Sequence, residues 1–177
     1  MKNTIFFDLE TKYLADEVGG WNNIHKMELA VAVTYSTGDA AYRRFTEEQA
    51  AELVAELQRA DLIVGYNVVR FDYTVLQPYT DVPLQQLPTV DMLQDIHRRL
   101  GFRLSLDAVA SASLNTNKSA DGVQAVRWFR QGEVDKVLDY CQRDVQVTRE
   151  VYEFGKRHGF VRYRDRRRGV SQVEVPW

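Results

Sequence analysis

Cysteine is almost missing from these 177 residues: Cys141 stands alone, so no internal disulfide can form, and a cysteine-based zinc site would have to be completed from only three histidines. That usage suits a reducing, intracellular compartment, and the cytoplasm is the expected one. An excess of one charge is also missing. Lys plus Arg is 23 against 25 for Asp plus Glu, a net −2, without the basic surplus of a tight nucleic-acid binder. No stretch approaches the ~20 apolar residues that cross a bilayer, and Ile5-Phe6-Phe7 is too short an apolar run for a signal peptide, so no membrane partner is expected. Repeats, low-complexity tracts and linkers are absent as well, and a chain of this length buries one good core, so residues 1–177 are expected to form a single domain.

What is present reads first as strands. Thr4 to Glu10 (T-I-F-F-D-L-E) is short and aromatic-rich, and a period of two puts Thr4, Phe6, Asp8 and Glu10 on one face. A loop with Gly19-Gly20 and Asn22-Asn23 precedes a second strand, Met27 to Tyr35, and a turn at Ser36 to Asp39 leads to a third, Ala40 to Phe45, completing an antiparallel meander. Thr46-Glu47-Glu48-Gln49 is a capping box for a helix carrying Ala50, Leu53, Val54 and Leu57 at helical spacing to about Arg59. Asp61 to Tyr66 follows as a strand buried on both faces beside the first. Helices are then expected near Phe71 to Tyr79, from Asp91 to Leu100, after Ser105, over Gly122 to Arg130, and from Glu133 to about Arg157, with residues 160–177 as a hairpin or ordered tail.

Three acidic constellations carry the chemistry. Asp8 and Glu10 share a face at the C-terminal end of the first strand, where open α/β sheets place their sites. Asn67-Val68-Val69-Arg70-Phe71-Asp72 follows the buried strand, with Asn67 suited to its exit and Asp72 in the first helical turn, where the dipole favours a carboxylate. Tyr140 and Asp144 are i and i+4 on the long helix, beside an inward stripe of Val137, Cys141, Val145 and Thr148. Each has an ordinary explanation alone, as an exposed strand end, a helix start or a stripe boundary. Jointly, Asp8, Glu10, Asp72 and Asp144 offer oxygen ligands of the kind that hold Mg²⁺ or Mn²⁺, and two such ions can activate a water and stabilise the leaving oxygen of a phosphodiester.

These motifs resemble those of the DnaQ-like DEDD superfamily of 3′–5′ exonucleases, on a ribonuclease H-like fold, and more closely its YprB-type group. D-x-E corresponds to Asp8-Leu9-Glu10, N-x-x-x-F-D to Asn67 through Asp72, and Y-x-x-x-D to Tyr140 through Asp144, in order over residues 4 to about 155. The histidine variety would need His where this chain has Asp139, so the tyrosine (DEDDy) variety matches. The resemblance implies an α/β fold with a central mixed β-sheet flanked by α-helices. It implies four acids binding two divalent metals, Mg²⁺ or Mn²⁺, with Tyr140 positioning the attacking water, all five residues being catalytic. It further implies that Leu9, Thr11, Asn67 and Phe71 line the pocket of the 3′-terminal nucleotide.

The expected activity is metal-dependent 3′–5′ exonucleolysis of single-stranded DNA or RNA with a free 3′ end, releasing nucleoside monophosphates. A helicase or polymerase that delivers ends is the expected protein partner. The alternatives are a non-catalytic nucleic-acid-binding or protein-interaction module of the same fold, which should have lost one of the four acids, and a ribonuclease H-like endonuclease. Smaller expectations are a phosphate contact from Lys118 in the polar loop Asn115 to Asp121, a cap at Asp107, a substrate or partner contact from Trp21, and for Asp91 either a helix cap or, by the resemblance, a fixed Asp between the second and third motifs. Between Lys156 and Arg168 seven cations face the single acid Asp165, a segment able to attract a phosphate backbone.

Overall fold

In the computed structural model, which describes residues 2–116, 122–165 and 169–177, alternation along the first strands does most of the architectural work. Strands β1 (Thr4–Thr11), β2 (Leu29–Ser36) and β3 (Ala41–Thr46) pair antiparallel in chain order, the expected meander. The Thr46/Gln49 capping box is formed and leads through a 3₁₀ turn into α1 (Ala50–Gln58). The helix carries the chain across the sheet to β4 (Leu62–Gly65), which pairs parallel with β1.

After β4 come α2 (Asp72–Leu76), then a fifth strand, β5 (Thr89–Asp91), parallel to β4, giving the order β3-β2-β1-β4-β5. The sequence predicts only a helix start at Asp91, because three residues are too few for a period of two to register. Helices α3 (Met92–Leu100), α4 (Leu106–Leu114), α5 (Gly122–Arg130) and α6 (Val134–His158) follow, and β6 (Phe160–Asp165) pairs antiparallel with β7 (Gly169–Glu174) as a separate two-stranded sheet. The segment expected as a plain loop at 12–26 holds two 3₁₀ pieces, Ala15–Val18 and Trp21–Lys26. The protein is α/β, a mixed five-stranded sheet flanked by helices. Among the described residues no helix is long and apolar enough to cross a membrane.

Two packed layers result. Ile5, Phe7 and Leu9 of β1 face the core that holds Leu53 and Leu57 of α1 and Tyr73 and Val75 of α2. Phe6 faces the opposite core, with Val64 of β4 and Val137, Cys141 and Val145 of α6. Asp8 and Glu10 continue the parity of Phe6, so the strand delivers both carboxylates to the face that α6 covers.

Candidate active site

The site grows out of a gap in the sheet. β4 pairs with β1 only as far as Phe6, so the β1 edge beyond it has lost its neighbouring strand. Asp72, the first residue of α2, takes that place: its Oδ1 accepts the Leu9 N–H at 3.1 Å. On the opposite edge the β1–β2 register shifts between Glu10 and Thr11, an irregularity of the kind that re-aims side chains at the end of a strand. Above them, the buried stripe Val137, Cys141, Val145 and Thr148 seats α6 on the sheet. The Cys141 thiol donates to the Asp8 carbonyl oxygen at 3.3 Å and approaches its Oδ2 at 3.6 Å, tying the helix to the strand at the level of the acids.

Asp8, Glu10 and Asp144 can each place one carboxylate oxygen within 4.8 Å of the others. Asp72 is outside that trio, yet its charge is felt at both Asp8 and Glu10. Burial, then the charges of Asp72, Glu10 and Asp144, pushes the Asp8 carboxyl well above its ordinary range, against a smaller opposing effect of the Cys141 hydrogen bond. Glu10 is raised by burial and by Asp144 and Asp72. Asp72 is also raised by burial, with the backbone N–H groups of Asp72 and Leu9 opposing it. The Tyr140 hydroxyl is hydrogen-bonded to Asp144, and burial followed by the charges of Asp144, Glu10 and Asp8 raises its pKa, so at neutral pH it remains a proton donor.

Like charges crowded at such cost are relieved by a cation. The trio offers only oxygen donors and includes no histidine or cysteine, the chemistry that fits a hard divalent ion rather than zinc. Asp8, Glu10 and Asp72 line a cleft of about 450 Å³ whose other walls are mostly apolar, from Leu14, Ala15, Trp21 and Met27 and from Val123 and Val126 of α5, with Asp16 as a further acid. An ion pair between Glu17 and Arg130, with an oxygen at 2.5 Å, ties the 3₁₀ segment Ala15–Val18 to α5.

The remaining sequence expectations distribute unevenly. Leu9 and Thr11 line the cleft; the Leu9 side chain packs into the layer against α1, and the buried Thr11 hydroxyl donates to the Tyr13 carbonyl at 3.0 Å. Phe71 lines it too, half-buried and tilted against Trp21 with ring centroids 6.4 Å apart. Trp21 itself is 60% exposed at the rim. Asn67 is not on the cleft wall. Its backbone is left-handed, with φ 69°, and its side-chain oxygen accepts from Arg103 at 2.8 Å, while its neighbour Tyr66 lines the cleft instead. Lys118 lies outside the described residues, as do Arg166 to Arg168. Asp139 is exposed and ion-paired with Arg44 at 2.7 Å. Asp91 caps α3 as expected, whereas the cap of α4 is Ser105, two residues before Asp107.

Cys141 as a helix-to-strand tie, and Tyr66, Val123 and Val126 as cleft walls, have no counterpart among the sequence expectations. Asp91 also does more than cap, since it accepts the N–H groups of Asn67 and Val69, both at 3.0 Å. Only the acid one residue before a helix hints at this; a pair such as Glu17 and Arg130, 113 positions apart, leaves no sequence signal.

The fold has solved counterparts. A family B DNA polymerase from the hyperthermophilic archaeon Pyrobaculum calidifontis superposes with a TM-score of 0.65 at 18% identity, over 86% of this chain and 24% of that one. The chain thus spans about a quarter of the polymerase it matches, and at that identity the likeness is one of fold. No curated protein sequence matches the chain. The family description "RNase H superfamily" matches residues 5–154, a span that starts inside β1 and ends beyond Asp144 on α6, so Asp8, Glu10, Asp72 and Asp144 all lie within it, and the chain belongs to the RNase H superfamily.

Proposed function

We propose that this protein is a metal-dependent 3′–5′ exonuclease of the DEDDy, YprB-like type, acting on single-stranded DNA or RNA and releasing nucleoside monophosphates. The observation that carries this reading is the convergence of Asp8, Glu10 and Asp144 oxygens within 4.8 Å, beside a cleft that Asp8, Glu10 and Asp72 line. Two divalent ions, Mg²⁺ or Mn²⁺, held by Asp8, Glu10, Asp72 and Asp144 would supply the charge that activates the attacking water and offsets the leaving oxygen. Tyr140, kept protonated beside Asp144, orients that water through its hydroxyl. Asp72, fixed by the Leu9 N–H, holds its carboxylate steady as the strand end enters. Phe71 and Trp21 offer aromatic surface to the terminal base, in a cleft that Thr11 and Leu9 also line. In the reaction the water oxygen bonds to phosphorus, the bond to the 3′ oxygen of the preceding nucleotide breaks, and that oxygen leaves protonated as the new 3′ end.

Time courses on 5′-labelled and 3′-labelled single strands, with Mg²⁺, Mn²⁺ or EDTA, test the proposal. A ladder that shortens from the 3′ end, only with metal, is expected. Internal cuts would replace this reading with an endonuclease, and binding without any cleavage in either metal would leave a non-catalytic module. A helicase or polymerase that exposes 3′ ends is the partner class the reading implies.

A further inference from the structure

Tyr140 stands between the acids and a second cavity. Its hydroxyl meets Asp144, and the residue also lines a cleft of about 220 Å³ together with Trp128 of α5 and Lys136, Asp139 and Arg143 of α6. Lys136, Tyr140 and Arg143 stand at i, i+4 and i+7, one stripe of the helix, so the two cations are about 10 Å apart along its axis with the tyrosine between them. Trp128 meets the Tyr140 ring edge-on, centroids 6.2 Å apart at 66°. Much of the charge here is already engaged: Asp139 by Arg44 at 2.7 Å, and Lys136 by Glu133 one turn away. Arg143 is exposed and has no anionic partner among the described residues. Cations spaced along an aromatic wall are the physical recipe for gripping a single strand without reading its sequence.

We propose that this cleft carries the strand upstream of the scissile bond, with Arg143 holding one phosphate, Lys136 a second by exchanging its exposed pair with Glu133 for it, and Trp128 offering its ring to a base. The inference rests on the exonuclease reading for its direction, since it requires the terminal nucleotide to occupy the acidic cleft on the other side of Tyr140. It explains why the net charge can be −2 while a strand end is still captured: the grip is a short local track rather than a basic surface.

The test is binding of a fluorescein-labelled single-stranded hexamer, as DNA and as RNA, in EDTA, where hydrolysis is blocked, read by anisotropy over a range of KCl. Wild-type protein is compared with Lys136→Gln, Arg143→Gln and the double variant. Neutralising each phosphate-binding cation should flatten the dependence of log Kd on log salt by about 0.7, and the double variant should weaken hexamer binding by about tenfold. A dinucleotide, too short to reach the cleft, should be weakened far less than the hexamer. Slopes that coincide with the wild type, or a hexamer that does not bind the wild type, would overturn the inference whether or not the protein cleaves strands. Flattened slopes in a protein that releases no nucleotide would uphold the cleft as a strand track and remove the exonuclease reading.

Discussion

Asp8 is held in place by its own strand and by a thiol, under the charge of three other acids, and its raised pKa is the residue-scale signature of crowded like charges that a bound cation would relieve. Removing one member should therefore have opposite effects on activity and stability. Asp144→Asn is expected to abolish metal-dependent cleavage and to raise the thermal midpoint in EDTA, by relief worth about 1 kcal/mol, because Asp8 and Glu10 then ionise against one charge fewer. A midpoint that falls instead would make Asp144 a structural group. Tyr140→Phe removes the hydroxyl from Asp144 without emptying the ring's place against Trp128, so kcat should drop by about tenfold or more with KM nearly unchanged. An unchanged kcat would take Tyr140 out of the chemistry. The positions of Asp8, Glu10, Tyr140 and Asp144 were legible because a period of two and a spacing of four fix faces without any tertiary knowledge. Asn67 was not, since its left-handed backbone turns its amide toward Arg103, a contact between residues 36 apart that local spacing does not encode.

At the scale of elements, the second motif owes its position to β5 more than to its own sequence. Asp91, only 5% exposed at the end of that strand, accepts three backbone N–H groups, from Asn67, Val69 and Gln94, and so fastens the β4–α2 connection and the start of α3 to one carboxylate. Asp91→Ala leaves those donors unmet and should cost about 3 kcal/mol in urea unfolding, with kcat falling as Asp72 loses its place; Asp91→Asn keeps an acceptor oxygen and should recover part of both. If the alanine variant cleaved normally, the β4–α2 connection would be self-supporting. Gly65 has a related task, because a Cβ there would lie 2.7 Å from Val68 Cβ. Gly65→Ala should push the connection outward and lower both stability and turnover, read by the same two measurements. The long elements were readable in the sequence from their caps and stripes, α5 and α6 nearly to the residue. β5 was not, for it is an edge strand of three residues whose identity comes from pairing with β4 and not from its own alternation.

At the scale of the whole molecule, the sheet divides an apolar layer that only packs from one that packs over most of its length and then, past Phe6, changes to acids. That division makes stability depend on pH in an unusual direction. Asp8, Glu10 and Asp72 have raised pKa values in the folded protein, against ordinary values of 3.8 for Asp and 4.5 for Glu, so above about pH 4 the folded state holds more protons at these positions than the unfolded chain. Their contribution is complete below the ordinary values and is lost as pH rises through the folded ones. The exposed, ion-paired Glu17 and the exposed Asp39 are shifted downward and act in the opposite sense, but only at lower pH and through solvent-screened pairs. In EDTA the thermal midpoint should therefore decline from about pH 5 to about pH 8. Adding Mn²⁺ or Mg²⁺ should raise it most at the alkaline end, where the acids no longer need to shed protons before they bind. Two bound divalent ions would also carry the net charge from −2 to +2 and concentrate that positive charge at the acids, where the proposed reaction would bring a phosphate. A midpoint in EDTA that stays level or climbs over this range, or a metal effect that does not grow with pH, would mean that the acids do not act as a single charge cluster coupling the folding of this sheet edge to its chemistry.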